Sequence, residues 1–377
     1  MTSLRVRTAI PVLLTTAMVC ISSCDRGRPV STIPDRLDDS TFWSMVNNLS
    51  EPGGYFHSDN FVSNELGFQY VIDDMLASVG GGGVYVGVGP DQNFTYIAAL
   101  RPQIAFIVDI RRQNLLQHLM YKALIEMSSD RADFLARLFA RSWIVSPPEG
   151  LEAESLFTLL GDLPRDSALY QENLSSIFDR LTREHRFSLD SEDSASLQYV
   201  YSAFFNGGAG LTYSSNTMRG FVNRGMPSYR MLMTATDQDG LNRSYLGSEA
   251  TFAALKDLQH RNLIVPLTGD FAGPHALRAV GEWLRQHKAT VDVFYVSNVE
   301  QYLFQQTDAW RQFYTNVSTM PLEKRALFIR SVSNRGWRRN QHPYARSSSV
   351  TSGIHDQLSL FRKGQLHSYT DVIEISK

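Results

Sequence analysis

The stretch Gly83–Met127, GVYVGVGPDQNFTYIAALRPQIAFIVDIRRQNLLQHLMYKALIEM, decides the fold that the sequence predicts. Within it, residues 84–88 and 104–108 are continuous apolar runs, each of strand length. A segment with apolar residues at helical spacing separates them, and a second helical segment follows at 113–127. Strands that are buried on both faces lose the alternation of polar and apolar residues, so two such runs joined by a helix predict a parallel βαβ unit.

The same pattern of short apolar runs and amphipathic segments returns in the second half of the chain. It predicts strands at 229–234, 262–267, 290–296, 325–329 and 369–375 and helices at 248–260, 274–287 and 299–306. A further helix is predicted at 61–75, and the polar, basic stretch 334–352 is expected to be a loop. This alternation predicts an α/β fold whose mostly parallel sheet carries helices on both faces.

Between these two parts lies a segment, residues 128–204, in which apolar residues recur at helical spacing and no strand pattern occurs. We interpret it as a helical insertion. The predicted organisation is therefore an α/β domain formed by residues 41–127 and 205–377 and interrupted by this insertion. A polar tether, residues 25–40, precedes the domain and contains two prolines.

The N-terminus has the layout of an export signal. Two arginines within the first seven residues precede an apolar stretch, Ala9–Ile21, that is too short to span a membrane. The stretch ends in Ile21-Ser22-Ser23-Cys24, which resembles the lipobox of bacterial lipoproteins. The resemblance implies that residues 1–24 are a lipoprotein signal peptide, that Cys24 is lipidated, and that the chain is anchored to a membrane of the cell envelope. A short anchor helix that is kept is the alternative.

Composition excludes some classes of protein. The chain has 377 residues, of which 43% are hydrophobic, so a substantial core is expected and extensive disorder is not. A net charge of -2 gives no support for a nucleic-acid partner. Of the two cysteines, Cys20 precedes the lipobox cysteine, so the mature chain is expected to contain no disulfide.

Glycines and a carboxylate stand where the first two predicted strands end. Gly87, Gly89 and Pro90 follow the first strand, and Asp109 closes the second. Ligands of open α/β sheets bind at the carboxyl ends of the strands, so we interpret these four as ligand-binding residues. Glycines let the backbone approach a ligand, and the next helix offers free N–H groups. The alternatives are a merely tight turn and, for Asp109, a helix cap or a salt bridge with one of the two arginines that follow.

Other polar residues are predicted to meet at the same edge. Asp270 and Asn298 end two later strands and are candidate catalytic groups. Asp59 and Asn60, with the nearby Asn64-Glu65, lie where a lid over the site is expected. The alternatives are turn formation by Asp270 and capping of the predicted helix at 61–75 by Asp59 and Asn60. The histidines at 57, 118 and 275 share no metal-ligand spacing, so no metal site is predicted.

The strand pattern and these motifs resemble the class I S-adenosylmethionine-dependent methyltransferases, over about residues 80–127 and 229–377. More narrowly, the stretches SEPGGYFHSDN, GVGPDQNFTYI, DIRRQN, LTGDFAG and SNVEQYL resemble an uncharacterised bacterial family placed near those enzymes. The resemblance implies a Rossmann-like sheet of seven strands with the last one antiparallel. It also implies that Asp109 holds ribose hydroxyls, and it makes S-adenosylmethionine the cofactor to test.

Two positions depart from the methyltransferase pattern. Tyr85 stands where an acidic residue usually precedes the first glycine by two places, and Asp91 replaces the third glycine. A carboxylate at a helix N-terminus repels phosphate, so Asp91 favours a nucleoside or an amino acid over a dinucleotide as the ligand.

The expected cofactor and the expected location conflict, because S-adenosylmethionine is made in the cytoplasm and a lipoprotein faces away from it. The first hypothesis is therefore a membrane-anchored lipoprotein whose methyltransferase-like domain binds a small nucleoside-like molecule at the strand ends. The alternatives are an active S-adenosylmethionine-dependent methyltransferase and a non-catalytic lipoprotein with a structural or partner-binding role. Fold alone does not choose among them.

Overall fold

The computed structural model describes residues 30–213, 226–333 and 346–376. The predicted signal peptide, Cys24 and the first part of the tether lie outside these ranges, as does much of the predicted loop at 334–352. In the described part, no helix combines the length and the apolar character that crossing a membrane requires.

One sheet of six strands lies at the centre of the described chain. Its strands are β1 Val84–Gly87, β2 Ile104–Asp109, β3 Ile264–Thr268, β4 Val291–Ser297, β5 Leu322–Ser333 and β6 Ser347–Gly353. Their order is β3-β2-β1-β4-β5-β6, and all neighbouring pairs are parallel except β5 and β6, which are antiparallel. Every residue of β1, β2 and β3 is buried, as expected for strands covered on both faces.

Helices cover both faces of this sheet. Those of the described residues are α1 Asp39–Asn48, α2 Ile72–Val79, α3 Gln92–Leu100, α4 Arg112–Met127, α5 Arg131–Phe139, α6 Ala153–Gly161, α7 Ser167–Phe178, α8 Ser191–Gly207, α9 Tyr229–Thr234, α10 Glu249–His260, α11 Ala276–Gln286, α12 Val299–Leu303, α13 Ala309–Ser318, α14 Ile354–Arg362 and α15 Tyr369–Glu374. Helix α3 joins β1 to β2, and Val84 lies opposite Ile104 in the parallel pair. The predicted βαβ unit and the predicted α/β fold with a mostly parallel sheet are therefore confirmed.

The segment 128–204 contains α5, α6, α7 and most of α8, and no strand. A π-helical turn, Asp179–Glu184, extends α7. Helix α8 packs against α4, which in turn packs against β2 and β3. These helices therefore form a layer that is continuous with the core of the sheet. The division of the chain into an α/β domain and a helical insertion stays a prediction.

Two of the predicted strands, at 229–234 and 369–375, are the helices α9 and α15. Ser228 caps α9, since its side chain accepts a hydrogen bond from the Met231 amide. Helix α15 begins with a capping box between Ser368 and Asp371. In segments this short, the caps supply acceptors for the first N–H groups and outweigh the strand preference of the aromatic and β-branched residues.

The last strand, β6, lies in the stretch that was predicted to be a loop. It pairs with β5 and alternates half-buried with buried residues, the latter being Ser348, Val350 and Ser352. The small polar side chains of β6 show no apolar pattern that would predict a strand. The segment is a strand because it pairs with the edge of β5. The described sheet has six strands where the resemblance implied seven, and its last strand is antiparallel as implied.

The first half of the predicted helix at 61–75 is irregular, and the second half is helical. A 3₁₀ turn, Phe68–Val71, leads directly into α2, and residues 61–67 contain no helix. Phe61, Val62 and Leu66 are nevertheless buried, so core packing holds this segment in place. The spacing of these three apolar residues resembles that of a helix, but it arises because an irregular segment buries them in the core.

A buried ion pair joins α12 to the sheet. Arg330 of β5 and Glu300 of α12 have side chains that are 0% and 1% exposed, and Arg330 Nη2 donates to Glu300 Oε1 at 3.2 Å. Arg330 also donates to the hydroxyl of Ser352 in β6, and Tyr314 of α13 donates to Glu300. The pair therefore fixes α12, the helix that follows β4 at the carboxyl edge of the sheet.

Removing one member of such a pair leaves the other buried and uncompensated, which destabilises proteins by about 3–5 kcal/mol. We expect Glu300→Gln to lower the free energy of unfolding by about that amount in urea titrations followed by tryptophan fluorescence. Glu282→Gln is the matched control, because it breaks the exposed Glu282–Arg285 pair of α11 and should change little. Equal losses in the two variants would contradict the role assigned to the buried pair.

Candidate functional site

A crevice opens at the carboxyl ends of β1 and β4, where the order of the strands reverses. From β1 the chain adds strands outward to β3 on one side, and from β4 it adds them outward to β6 on the other. Ligands of open α/β sheets bind at such a switch point. The crevice has a volume of about 280 Å³, and its walls come from the strand ends, from the segment before β1 and from α12.

Most of the residues predicted for the site meet in this crevice. Those that line it are Asn60, Gly89, Pro90, Asp109, Asp270 and Asn298. Gly87 and Asp59 lie nearby but do not line it. The structure therefore brings Asp109, Asp270 and Asn298 to the glycine turn, as a parallel sheet requires, and their roles toward a ligand stay predictions.

A single asparagine, Asn93 of α3, holds the glycine turn. Its Nδ2 donates to the carbonyls of Val88, Gly89 and Pro90 at 2.9, 3.2 and 2.7 Å. Tyr85 Oη donates to Asn93 Oδ1 at 2.8 Å and so orients the amide. The tyrosine at the position where methyltransferases usually carry an acid therefore has a structural partner inside the protein.

The two glycines of the turn are needed for different reasons. A Cβ atom on Gly87 would lie 2.0 Å from Asn93 Oδ1, so no side chain fits there. Gly89 has φ +81°, a conformation that other residues rarely adopt, and open space lies where its Cβ would be. Gly87 therefore makes room for Asn93, whereas Gly89 shapes the wall of the crevice.

His118 of α4 holds the same turn from the other side. Its Nε2 lies 2.9 Å from the Gly89 carbonyl, and because a carbonyl accepts, the imidazole is protonated at Nε2. Burial lowers the pKa of His118 to about 4, so the ring is neutral at physiological pH. Its Nδ1 is buried without a hydrogen-bond partner among the described residues. No spacing in the sequence indicates this role, because it depends on how α4 packs beside the turn.

Asp91, the residue at the start of α3, faces away from the crevice. It is 1% exposed, and Tyr245 Oη donates to its Oδ2 at 3.1 Å. The hydroxyls of Tyr245 and Tyr229 are in turn 2.6 Å apart. Burial raises the pKa of Asp91 to about 7. Asp91 therefore does not line the crevice but is buried among tyrosines, and its predicted effect on the choice of ligand stays a prediction.

Asp109 is paired with Arg111 inside the protein. Its Oδ1 accepts from the Arg111 amide at 2.9 Å and from Nε at 3.0 Å, and its Oδ2 accepts from Nη2 at 2.9 Å. Asp109 is 4% exposed and Arg111 6%. The salt bridge that the sequence left open as an alternative is thus present. A carboxylate offers about four acceptor positions, so this pairing leaves about one for a ligand hydroxyl.

The segment before β1, residues 50–65, arches over the strand ends and is called the lid segment below. Its backbone is tied to two strands of the sheet. The Glu51 amide donates to the Thr268 carbonyl at 2.9 Å, and the Gly54 amide donates to the Ile110 carbonyl at 2.8 Å. The lid segment is therefore a fixed wall of the crevice at the ends of β2 and β3.

The side chain of Glu51 is part of the site architecture that sequence reasoning missed. Its Oε1 accepts from the Asp270 amide at 2.7 Å, and its Oε2 accepts from the amides of His275 and Ala276 at 3.1 and 3.4 Å. A carboxylate is favourable at the N-terminus of a helix, here α11. Glu51 and Asp270 are 219 positions apart in the chain, so no local pattern could indicate the contact.

Asp59 and Asn60 act differently from a helix cap. No helix begins at Phe61, so the capping interpretation is wrong. The Asp59 carbonyl accepts from Arg111, and its carboxylate accepts from Tyr199 Oη at 3.3 Å. Asn60 has φ +50°, and its Oδ1 is buried without a hydrogen-bond partner in the described part of the chain. Asn60 thus brings an unsatisfied acceptor to the crevice.

Aromatic rings form one wall of the crevice. Phe56 of the lid segment meets Tyr302 of α12 edge to face, with ring centroids 5.5 Å apart, and the His57 ring lies 4.4 Å from that of Phe56. Tyr295 and Phe271 also line the crevice. A wall of this kind suits a planar, partly apolar ligand.

Glu65, at the end of the lid segment, lines the crevice although it is 2% exposed. Tyr295 Oη donates to its Oε1 at 2.9 Å, and Gln92 Nε2 donates to its Oε2 at 2.9 Å. The Ser297 hydroxyl, at the end of β4, also donates to Oε1. Burial raises the pKa of Glu65, and these hydrogen bonds oppose the rise. Perturbed carboxyl groups in clefts are typical of functional sites.

Among the described residues, the acidic side chains close enough together to share a cation are Asp73, Asp237 and Asp239. None of them lines the crevice. Arg243 already pairs with Asp73 at 3.1 Å and with Asp237 at 2.9 Å. This cluster is therefore a partly neutralised surface feature that is separate from the candidate site.

The raised pKa of Asp91 makes stability depend on pH in a defined direction. A carboxyl whose pKa rises from 3.8 to about 7 on folding favours the folded state in its protonated form, and that contribution is lost as the pH rises through 7. The free energy of unfolding of the wild type, relative to that of Asp91→Asn, should fall by up to about 4 kcal/mol between pH 4 and pH 7. Denaturant titrations at several pH values measure this difference.

Asp162→Asn, at an exposed position after α6, is the control and should follow the wild type at every pH. A difference between the wild type and Asp91→Asn that does not change with pH would show that Asp91 is ionised throughout.

Comparison with known proteins identifies the family of this chain. The family model of DUF7790, a domain of unknown function, matches residues 60–144 and 170–371. These residues include all six strands and most of the crevice. The unmatched residues 145–169 contain α6. Among curated proteins, none matches the chain. Because the match covers most of the sequence, this chain belongs to the DUF7790 family.

Proposed function

We propose that this chain binds a small nucleoside-like molecule in the switch-point crevice. The observation that carries the proposal is the combination, in one crevice, of an aromatic wall with the buried and unpaired Asn60 Oδ1. An unpaired buried acceptor costs about 1–3 kcal/mol, and an N–H or O–H group of a ligand would remove that cost.

The wall formed by Phe56, His57 and Tyr302 supports a planar ligand. Stacking of a base on an aromatic side chain contributes about 1–3 kcal/mol in nucleic-acid-binding proteins, and it tolerates any base. Helix α3 begins beside the glycine turn, and Asp91, its N-cap residue, makes no side-chain capping bond. The amides of Asn93 and Phe94 instead donate to the backbone carbonyls of Pro90 and Asp91 at 3.3 and 2.9 Å, so the aromatic wall rather than this helix end supports the proposal.

The residues fit S-adenosylmethionine poorly in the arrangement that the methyltransferase resemblance implies. Tyr85 is committed to Asn93, and three acceptor positions of Asp109 are occupied by Arg111. Asp109 would then accept one hydrogen bond from a ribose rather than two. These residues therefore favour binding of a nucleoside-like molecule over methyl transfer from S-adenosylmethionine.

We further propose that the chain is a lipoprotein anchored through Cys24 to a membrane of the cell envelope. The basic start, the short apolar stretch and the lipobox-like ending support it. The N-terminal segment of the described chain runs along the amino edge of the sheet, where the Thr32 amide donates to the His287 carbonyl and the Leu37 amide to the Arg261 carbonyl. The described chain thus begins at the edge of the sheet opposite the crevice.

The anchor has a direct test. Cys24→Ala should carry no lipid and should appear as unprocessed precursor, because a lipobox needs its cysteine for lipid attachment and processing. Cys20→Ala is the matched control and should stay lipidated and membrane-bound. Fractionation of cells and mass spectrometry of the N-terminus read out both variants. A Cys24→Ala protein that is lipidated or processed like the wild type would contradict the lipoprotein proposal.

The binding proposal is tested at Asn60. Asn60→Gly removes the unpaired carbonyl oxygen and tolerates the positive φ, so it should weaken binding of adenosine by about fivefold to tenfold without loss of stability. Titration calorimetry measures the affinity, after mass spectrometry has identified any small molecule released from the denatured protein. Arg101→Gly, also at a positive φ of 51° but at the amino edge of the sheet, is the matched control. Failure of the folded wild type to bind adenosine, S-adenosylhomocysteine or S-adenosylmethionine would remove the nucleoside proposal.

A further inference from the structure

We propose, on the basis of the function proposed above, that Glu65 recognises a protonated amine on the ligand. The crevice would then take a cationic nucleoside-like molecule in preference to a neutral or an anionic one. The inference rests on three observations, which are the placement of Glu65, the nature of its partners and the balance of charges in the crevice.

Glu65 is placed where the lid segment meets the end of β4. It lines the crevice although only 2% of its surface is exposed. Two groups of β4, the Tyr295 and Ser297 hydroxyls, donate to its Oε1, whereas Oε2 accepts from Gln92 of α3. Oε2 therefore has the greater remaining capacity to accept a donor from a ligand.

The partners of Glu65 are all neutral. Hydroxyl and amide groups of Tyr295, Ser297, Ser331 and Gln92 surround it, and no lysine, arginine or histidine of the described ranges 30–213, 226–333 and 346–376 forms an ion pair with it. By contrast, Asp109 has Arg111, and Glu300 has Arg330. Buried carboxylates are ordinarily paired with a cation, so the environment of Glu65 lacks the one group that would stabilise its charge.

The balance of charged groups that line the crevice also favours a cationic ligand. Its described lining has the carboxyl groups of Glu65, Asp109 and Asp270 and one arginine, Arg111, which pairs with Asp109. Glu65 and Asp270 form no ion pair with Arg111 or with His57, the other basic residue of the described lining, so carboxyl groups outnumber basic groups there. Burial disfavours the charged form of Glu65, and an ammonium group beside it would favour that form. An anionic ligand would meet this excess of negative charge, whereas an ammonium group would gain from it and from the neighbouring aromatic rings.

Three probes that share one scaffold separate the possibilities. Adenosine is neutral, 5′-amino-5′-deoxyadenosine carries an ammonium group at neutral pH, and adenosine 5′-monophosphate is an anion. Titration calorimetry on the full-length protein should show the amine binding at least about tenfold more tightly than adenosine, and the monophosphate most weakly. Equal affinities for the amine and adenosine would overturn cation recognition while leaving crevice binding intact. No binding of any probe would instead overturn the proposed function itself.

Two variants assign the preference to Glu65. Glu65→Gln keeps the size of the side chain and removes its charge, so the ratio of amine to adenosine affinity should fall at least about tenfold while adenosine binding changes little. Asp270→Asn removes a negative charge from the same crevice without touching the Glu65 partners, and its ratio should fall no more than about threefold. Equal loss in the two variants would show attraction by the crevice as a whole and would overturn the assignment to Glu65.

A measurement on the wild type keeps the test decisive if Glu65→Gln does not fold. Salt at about 1 M shortens the range of electrostatic interactions to about 3 Å, but it screens buried pairs much less than exposed ones. A direct contact with Glu65 should therefore preserve the preference for the amine in high salt. Disappearance of the preference at about 1 M salt would mean a diffuse attraction and would overturn the contact.

Discussion

The buried guanidinium of Arg111 is the interaction on which the crevice depends. It donates to Asp109 at the end of β2 and to the Asp59 carbonyl in the lid segment, and it lies 3.5 Å from Asn114 Oδ1 of α4. An arginine keeps its charge even when buried, so its carboxylate and carbonyl partners must stay in place. The strand end, the lid segment and α4 are thus fixed relative to one another. A crevice built in this way is preformed, which reduces the conformational entropy that a ligand must overcome.

Three acidic residues near the switch point show how the environment sets the role of one chemical group. Asp91 is buried among tyrosines, and its pKa is raised to about 7. Asp109 is buried too, but Arg111 compensates its charge. Glu65 is buried among neutral donors and faces the crevice. Of the three, Glu65 is therefore the carboxyl group whose electrostatic requirement a ligand could satisfy, whereas Arg111 already compensates Asp109 and tyrosines surround Asp91.

The elements that could be predicted are those whose burial is complete. The apolar runs of β1 and β2 and the helix between them follow from periodicity, because strands covered on both faces must be apolar throughout. The segments 229–234 and 369–375 were predicted wrongly because they are only about a turn and a half long, and their Ser228 and Ser368 caps decide for helix. Strand β6 was missed because serines carry no apolar pattern, and its identity comes from the free edge of β5.

The sequence by itself determined the parallel α/β core and the edge at which Gly89, Asp109, Asp270 and Asn298 meet, because strand direction follows from the helical crossovers. Only the tertiary structure decided which polar groups face the crevice. Contacts such as that of Glu51 with Asp270, 219 positions away, depend on the strand order and on the path of the lid segment. Local spacing reports which residues are buried, but whether a buried carboxylate meets an arginine, a tyrosine or a cavity is set by segments that are distant in the chain.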